Sequence, residues 1–456
     1  MAVSISRQIA YEVLRRVEAE GAYASDLLHG ELGANVKAAD AALATELTMG
    51  VLRWRRLLDF LLERHLKKPV ERLDLPVALA LRMGAYQLRF LERVAQRAAV
   101  HESVELVKRA RKASAATLVN AVLRRIAAET SVPPEKLLPP TIAPAERLGI
   151  LHSHPAWIVE RWLSRLGEAK TIALLEANNH TPRLSCALND GHRREEIVAE
   201  LEKAGLKVKS GVLLKAALSV SGGSVARTPA FRSGRISIQD EASQAVPLLL
   251  GVREGDRVLD LCAAPGGKTP ALVRAAGSRG VVIAADHHFH RVRAMQAQFK
   301  RLGLPNVHLV VLDAAEPLPF RIQFDRILVD APCSGTGTLA RHPEIRWRLR
   351  PEQLAELHQL QCRLLQTAIA QLAPGGKLVY STCSIEREEN EEVVADVLRS
   401  AAAIRPAPAS ECAHALQPHL VPPLDAGALF SNDGYFRTSP AIQHTDGFFA
   451  AILQKI

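Results

Sequence analysis

Two cysteines stand where covalent chemistry is possible. Cys333 lies in Asp330-Ala331-Pro332-Cys333-Ser334-Gly335-Thr336-Gly337, and Cys383 lies in Ser381-Thr382-Cys383-Ser384. The first stretch ends the apolar run FDRILVD and the second ends GKLVYSTC, runs that read as buried strands. Both thiols are therefore expected in turns at carboxyl strand ends. A thiolate is a strong nucleophile even when only partly ionised at neutral pH. Carbon 5 of a pyrimidine, by contrast, is a poor nucleophile. Attack of a sulfur on carbon 6 makes carbon 5 enamine-like and able to take an electrophilic methyl group, so one hard step becomes two easier ones. The adduct must then lose the carbon 5 proton and expel the sulfur, a stage that needs a base or a base-positioning group and suits Cys333. Asp330, protonated or sharing a proton with the ring, could bond ring N3, as an acid held near neutral in a closed pocket can. Lys268 could line the same site and favour thiolate. Cys186, Cys262, Cys362 and Cys412 read as small apolar fillers. Zinc is a competing use for thiols. However, Cys333 and Cys383 are 50 residues apart with no C-x-x-C anywhere in the chain, and structural zinc wants four close ligands. No metal site is expected.

A methyl donor needs its own pocket. The run RVLDLC leads into Asp260-Leu261-Cys262-Ala263-Ala264-Pro265-Gly266-Gly267-Lys268-Thr269. Glycines between a strand and a helix permit a tight turn and close approach of backbone to a ligand. In a doubly wound sheet, ligands bind at the carboxyl ends of the strands. The stretch is neither G-x-G-x-x-G nor a Walker loop, since Cys262 stands where a Walker loop has its first glycine. The second run, VVIAAD, ends at Asp286, 26 residues after Asp260. An acid there can hold both ribose hydroxyls, as in dinucleotide folds. The third run, VHLVVLD, ends at Asp313, placed to accept from an adenine amino group. Each aspartate alone serves a turn or a helix cap equally well. All three in order describe an adenosine pocket lacking a strong phosphate site, which fits S-adenosylmethionine better than NAD.

These runs alternate with helical patterns, which implies βαβ units and a mainly parallel sheet over residues 236–456. Residues 400–445 are rich in Pro, Ala and Gly and read as loops. Residues 1–133 read as all-helical, with apolar positions such as Ile9, Val13, Leu14 and Val17 at three- and four-residue spacing. Residues 134–149 hold Pro134, Pro139, Pro140 and Pro144 and read as a linker. Residues 150–235 read as a small α/β unit. The whole is thus a multidomain chain with an all-α N-terminal domain, a small α/β middle subdomain and an α/β Rossmann-like transferase domain.

The formal net charge is +10, and it is unevenly spread. Residues 51–130 hold 17 Lys and Arg against 8 Asp and Glu, a surplus of 17 − 8 = +9. A face binding a polyanion such as RNA and a solvated helical surface both account for that surplus. Aromatic residues are only 4% of the chain, so an extended base-stacking platform is not expected. No stretch approaches a membrane span, and the N-terminus shows no signal-peptide pattern. Unpaired cysteine spacing suits reduced thiols, and a cytoplasmic protein with no membrane partner is expected.

Asp260–Thr269, Asp330–Gly337 and Tyr380–Ser384 closely resemble the cofactor and two-cysteine motifs of the Nol1/Nop2/Sun class of RNA cytosine-C5 methyltransferases. The resemblance covers about residues 183–456. It includes Gln239-Asp240-Glu241-Ala242-Ser243, Arg341-His342-Pro343 with Trp347, and Asp446-Gly447-Phe448-Phe449. It implies Cys383 as nucleophile and Cys333 as the release group. It also implies cofactor contacts from Cys262, Ala263, Ala264, Pro265, Gly266, Gly267, Lys268, Asp286, Asp313 and Asp330. The N-terminal residues resemble the NusB-like RNA-binding domain in Leu43-Ala44-Thr45-Glu46-Leu47, Gly84-Ala85-Tyr86-Gln87-Leu88 and Val119–Arg124. That pairing implies action on one cytosine of small-subunit ribosomal RNA, with transfer RNA as an alternative substrate. Ala187 stands where the family's middle region carries Arg. His287-His288-Phe289-His290 reads as a partly exposed helix start. A target base must be unpaired or flipped to reach a thiol. The rival reading is an RNA-binding assembly factor with an inactive transferase core, against which the intact cofactor loop and both cysteines argue.

Overall fold

A computed structural model describes residues 3–32, 36–189, 193–304 and 306–456. The chain forms two compact units, Met1–His180 with Leu339–Arg348, and Thr181–Thr338 with Leu349–Ile456. Among the described residues no helix is long and apolar enough to cross a membrane.

The first unit is helical. Helices Ile5–Glu20, Ala38–Glu63, Leu75–Phe90, Gln96–Arg109 and Ala116–Ala128 each turn an apolar stripe into one core. Leu75–Phe90 is buried at every position from Val77 to Leu88, as a central helix must be. Its close neighbour is Ala38–Glu63, where a Cβ on Gly50 would stand 2.0 Å from the Tyr86 ring.

The proline-rich stretch 134–149 is built differently from the expected linker. It carries a 3-10 turn at Pro134–Lys136 and the start of a helix at Pro144–Leu151, and Leu138 and Ile150 are buried in the helical core. Proline at the first helical position gives up an N–H that has no partner there, and its fixed φ suits the turn. These prolines therefore start turns rather than break them. Helices Ala156–Leu166 and Glu168–Asn179, at the start of the expected middle subdomain, pack with this unit, which runs to His180.

Leu339–Arg348 joins the first unit from far along the chain. Arg346 is 1% exposed. Its Nη1 donates to Ser153 O at 2.9 Å, Asn179 Oδ1 at 3.0 Å and Arg53 O at 3.3 Å. Its Nη2 donates to Asn178 O at 3.1 Å and Leu339 O at 3.3 Å. Trp347 Nε1 donates to Leu52 O at 2.6 Å, and Glu344 Oε1 accepts from Ala24 N at 2.9 Å.

The second unit opens with an antiparallel sheet of order β2-β3-β1-β4, made of β1 (Leu184–Leu188), β2 (Lys207–Ser210), β3 (Ala217–Ser221) and β4 (Ile236–Ile238). Helix Arg194–Lys203 covers it through Ile197 and Leu201. Ala187 pairs with Ala217 on one side and Ser237 on the other. The large sheet follows, with β5 (Arg257–Leu261), β6 (Val281–Asp286), β7 (Val307–Val311), β8 (Phe324–Asp330), β9 (Leu372–Thr382), β10 (Ile404–Pro406), β11 (Phe436–Arg437) and β12 (Phe449–Lys455). Its order is β10-β12-β9-β8-β5-β6-β7, with β11 on β12. The five strands β5 to β9 are parallel; β12 runs antiparallel to β9, and β10 and β11 each pair antiparallel with β12. Residues 400–445, expected as loops, thus carry two short strands, together with the helix Ala409–Leu416. From β5 the chain winds outward to β6 and β7, then returns to β8 on the other side. That reversal opens a crevice at the carboxyl ends of β5 and β8, where such sheets bind ligands.

Arg346→Lys keeps a charge but loses the planar fork that reaches several carbonyls. It is expected to destabilise the chain by about 3 kcal/mol, two or more charged hydrogen bonds. Urea unfolding checks this, and a loss below about 0.5 kcal/mol would show that the carbonyl cage contributes little.

Candidate active site

Strand register brings the two thiols together. β8 and β9 are parallel neighbours with Asp330 opposite Ser381. Cys333 follows three residues after the one, Cys383 two after the other, and their sulfurs stand 3.4 Å apart as free thiols. The hydrogen bond to Cys383 and then burial push the Cys333 thiol well up. Either sulfur can donate to the other, so the two thiols form one hydrogen-bonded pair.

What holds the two turns is a residue outside the sequence motifs. Glu389 lies in the 3-10 turn Arg387–Glu389 and is fully buried. Its Oε1 accepts from Ser334 N at 2.7 Å and Gln361 Nε2 at 3.1 Å. Its Oε2 accepts from Ser384 Oγ at 2.5 Å and from Ser334 Oγ. Ser334 and Ser384 are the residues after the two cysteines, so one carboxylate ties both turns. Burial pushes its pKa up. Gln361 also donates to Pro332 O at 2.9 Å, and the Tyr380 hydroxyl donates to Glu389 O at 2.6 Å. Asn390 adds a bond from Nδ2 to Ser384 O at 2.9 Å. In sequence Glu389 is one acid among Glu386, Glu388, Glu391 and Glu392. Such a run reads as a solvated surface, and no local signal separates the buried members, Glu386 and Glu389, from the rest.

The C-terminal motif closes the same place. Gly337 N donates to Cys383 O at 2.9 Å, and Gly447 N donates to Gly337 O at 2.8 Å. A Cβ on Gly337 would stand 2.1 Å from Gly447 O and 2.9 Å from Cys383 O. Only glycine permits three backbones to meet so closely.

The loop expected to hold the cofactor lies beyond the end of β5. Cys262 and Gly266 adopt φ values of 59° and 91°. A Cβ on Gly266 would meet Phe299 Cε1 at 2.8 Å. Lys268 Nζ donates to Asp330 Oδ2 at 2.6 Å and lies 5.1 Å over the Phe448 ring. Asp330 Oδ1 accepts from Ser381 Oγ at 2.8 Å. The polar partner of Lys268 is thus Asp330 rather than a sulfur. Asp286 ends β6, where Oδ1 accepts from His288 N at 3.0 Å and Oδ2 from Ala264 N at 3.3 Å. Asp313 stands two residues past β7 and takes Ala315 N at 2.9 Å. His287, His288 and His290 are exposed at the start of helix Phe289–Arg301.

The electrostatics of the loop are acidic. Burial first, then Asp286, Asp330, Asp260 and Asp313, push the Cys262 thiol up, so four carboxylates surround it. Asp260 is itself pushed up to about 7, chiefly by burial. Its Oδ2 accepts from Thr269 Oγ1 at 2.7 Å, while its buried Oδ1 has no hydrogen-bond partner among the described residues. The carboxylates of Asp286, Asp313 and Asp330 at these strand ends suit a cofactor that brings hydroxyl and amino donors and a positive sulfonium. They do not suit a phosphate. A crevice of that character at the switch point of a doubly wound sheet serves a methyltransferase of the S-adenosylmethionine-dependent class.

Comparison with known proteins agrees. The family 16S rRNA methyltransferase RsmB/F matches residues 247–454, the NusB family residues 4–128, and the RsmF/B-like ferredoxin-like domain residues 154–225. A relative in Bacillus subtilis, described as a probable ribosomal RNA small subunit methyltransferase B, is 34% identical over 453 residues, or 98% of each chain. The crystal structure of PH0851 matches with a TM-score of 0.82 and 26% identity, over 100% of both chains. A methyltransferase homolog from Pyrococcus horikoshii matches 69% of this chain and 100% of its own, with a TM-score of 0.56 and 29% identity. The chain belongs to the ribosomal RNA small subunit methyltransferase B family, and its cofactor is S-adenosylmethionine.

Glu389→Ala leaves several buried donors without an acceptor and is expected to cost about 3 kcal/mol or more, at roughly 1–3 kcal/mol per orphaned group. Glu389→Gln should cost less, because its oxygen can accept from Ser334 N while its N–H groups donate to the two hydroxyls. Chemical unfolding of both variants is the check, and equal losses would deny Glu389 this acceptor role.

Proposed function

We propose that this chain methylates carbon 5 of a cytosine in small-subunit ribosomal RNA, of the cytosine-967 type, with Cys383 as nucleophile and Cys333 as release group. The pair of thiols at 3.4 Å, on adjacent strand ends beside an acidic cofactor loop, carries the reading. Methylation of an amino nitrogen needs no covalent adduct and gives two thiols no work.

Cysteine chemistry then runs as follows. The Cys383 sulfur bonds to carbon 6, and the ring electrons move toward carbon 5. S-adenosylmethionine supplies an electrophilic methyl group on its sulfonium. Asp330, oriented by Lys268 and Ser381, shares a proton with N3 and so steadies the charged ring. Cys333 helps remove the carbon 5 proton, after which the carbon 6–sulfur bond breaks and Cys383 is restored. Cys262 to Lys268, Asp286 and Asp313 hold the cofactor. The six free cysteines suit a reducing cytoplasm.

The helical unit supplies charge for the RNA backbone. Arg53 and Arg82 are buried and serve the fold. Arg93, Arg97, Arg109, Arg111, Arg124 and Arg125 are exposed and form no ion pair among the described residues. Phosphate contacts of this kind weaken as salt rises.

Cys383→Ser is expected to abolish methyl transfer while cofactor binding persists. Cys333→Ala should accumulate a protein–RNA adduct that survives denaturing gels. Bisulfite mapping of 16S ribosomal RNA from cells with and without the gene tests the product, and an unchanged map would end the proposal. Arg124→Ala with Arg125→Ala should weaken RNA binding and reduce the slope of log K against log salt by about 1 to 2. An unchanged slope would remove both arginines from the RNA contact.

A further inference from the structure

The helices flanking the Glu389 turn carry a second group of side chains that the chemistry above does not use. His358 and Cys362 stand one turn apart on helix Pro351–Gln371, and Asp396 stands on the adjacent helix Glu391–Ser400. His358 Nε2 lies 3.1 Å from Asp396 Oδ2 and 3.6 Å from Cys362 Sγ, and one ligand atom from each residue lies within 4.8 Å of the others. All three side chains are half-buried, so water and ions reach them.

The other ring nitrogen fixes the chemistry. His358 Nδ1 is 2.6 Å from Glu388 O, a carbonyl that can only accept. Nδ1 therefore carries the hydrogen, which is the second bond that metal-binding histidines characteristically make. With Nδ1 so engaged, a neutral His358 turns an Nε2 lone pair on a carboxylate oxygen and a sulfur. In the unloaded site the Cys362 thiol can donate its hydrogen to that lone pair, and once the thiol gives its proton up the three atoms converge as ligands for one cation. The two distances from the ring nitrogen suit a metal. A tetrahedral ion about 2.3 Å from sulfur and about 2.0–2.1 Å from nitrogen holds those atoms about 3.6 Å apart, and nitrogen and oxygen about 3.3 Å apart. Arg399 donates to Asp396 Oδ1 at 2.6 Å, which orients the carboxylate and leaves Oδ2 toward the ring.

We infer that His358 Nε2, Cys362 Sγ and Asp396 Oδ2 bind one zinc-class divalent cation, with water in the fourth position. An imidazole, a thiolate and a carboxylate favour such an ion over magnesium or calcium, which take oxygen ligands. On binding, a metal–sulfur bond replaces a metal–water bond and the thiol proton passes to solvent, with no change of oxidation state. The ion ties together the two helices on either side of the turn that presents Glu389, and the outer-sphere carbonyl belongs to the residue just before it. Cys362, read from sequence as an apolar filler, becomes a ligand.

Full-length protein, stripped with chelator and kept reduced, is titrated with cobalt(II) and then zinc(II). One cobalt per chain, with a thiolate charge-transfer band that zinc displaces, is expected. The band persists in the Cys333→Ala, Cys383→Ser double variant and is lost in Cys362→Ser. Asp396→Asn weakens binding by more than the roughly tenfold that loss of an outer-shell partner costs. Zinc raises the melting temperature of the unmodified chain but not of His358→Gln, and circular dichroism verifies that each variant is folded. No band in the unmodified chain means that His358 and Asp396 form a plain ion pair, and the inference fails. A band that survives Cys362→Ser, or vanishes with the active-site thiols, overturns it equally.

Discussion

Glu389 is a carboxylate buried with no ion pair among the described residues, a placement that costs several kcal/mol unless hydrogen bonds replace the lost water. Here they do. A backbone amide, two serine hydroxyls and a glutamine amide all converge on it. Each serine directly follows one of the two cysteines, so satisfying this one group fixes two turns whose centres are 50 residues apart in sequence. The geometry of the thiol pair depends on that arrangement. Side chains locked by surrounding bonds are what keep a reactive pair within tenths of an ångström of a working position.

Around that anchor the sheet divides the labour. Parallel β8 and β9 deliver the cysteines, and β5, β6 and β7 deliver Asp260, Asp286 and Asp313. The Lys268–Asp330 pair joins the two halves, since Lys268 leaves the β5 loop and Asp330 ends β8. Acidic charge around the loop after β5 suits a positive donor, while the neighbouring thiol pair lies between buried hydroxyls and backbone amides. One parallel sheet edge thus holds two electrostatic environments a few residues apart.

One segment of the helical unit follows the Cys333 turn directly in sequence. The turn that carries Cys333 ends at Thr338, and the next residue, Leu339, begins the segment embedded in the helical unit through Arg346 and Trp347. Its insertion gives a structural reason for Trp347, and for His342, whose ring packs edge-on against Tyr23.

Local pattern was enough for much of this. Apolar runs ending in aspartate or cysteine marked β5 to β9, because a strand buried on both faces must be apolar along its length and its polar residues collect at its end. The cofactor loop, the three strand-end aspartates and both cysteines could be read in that way, and so could the helical character of residues 1–133. The role of Glu389, the approach of Gly447 to Gly337, the destination of Leu339–Arg348 and the packing of the proline-rich stretch could not. Each depends on which distant segments become neighbours: β12 must lie against β9 before Gly447 can meet Gly337. Periodicity reports whether a residue faces a core. It carries no information about which partner waits there, and an acid that will be buried looks in sequence like any acid that will not.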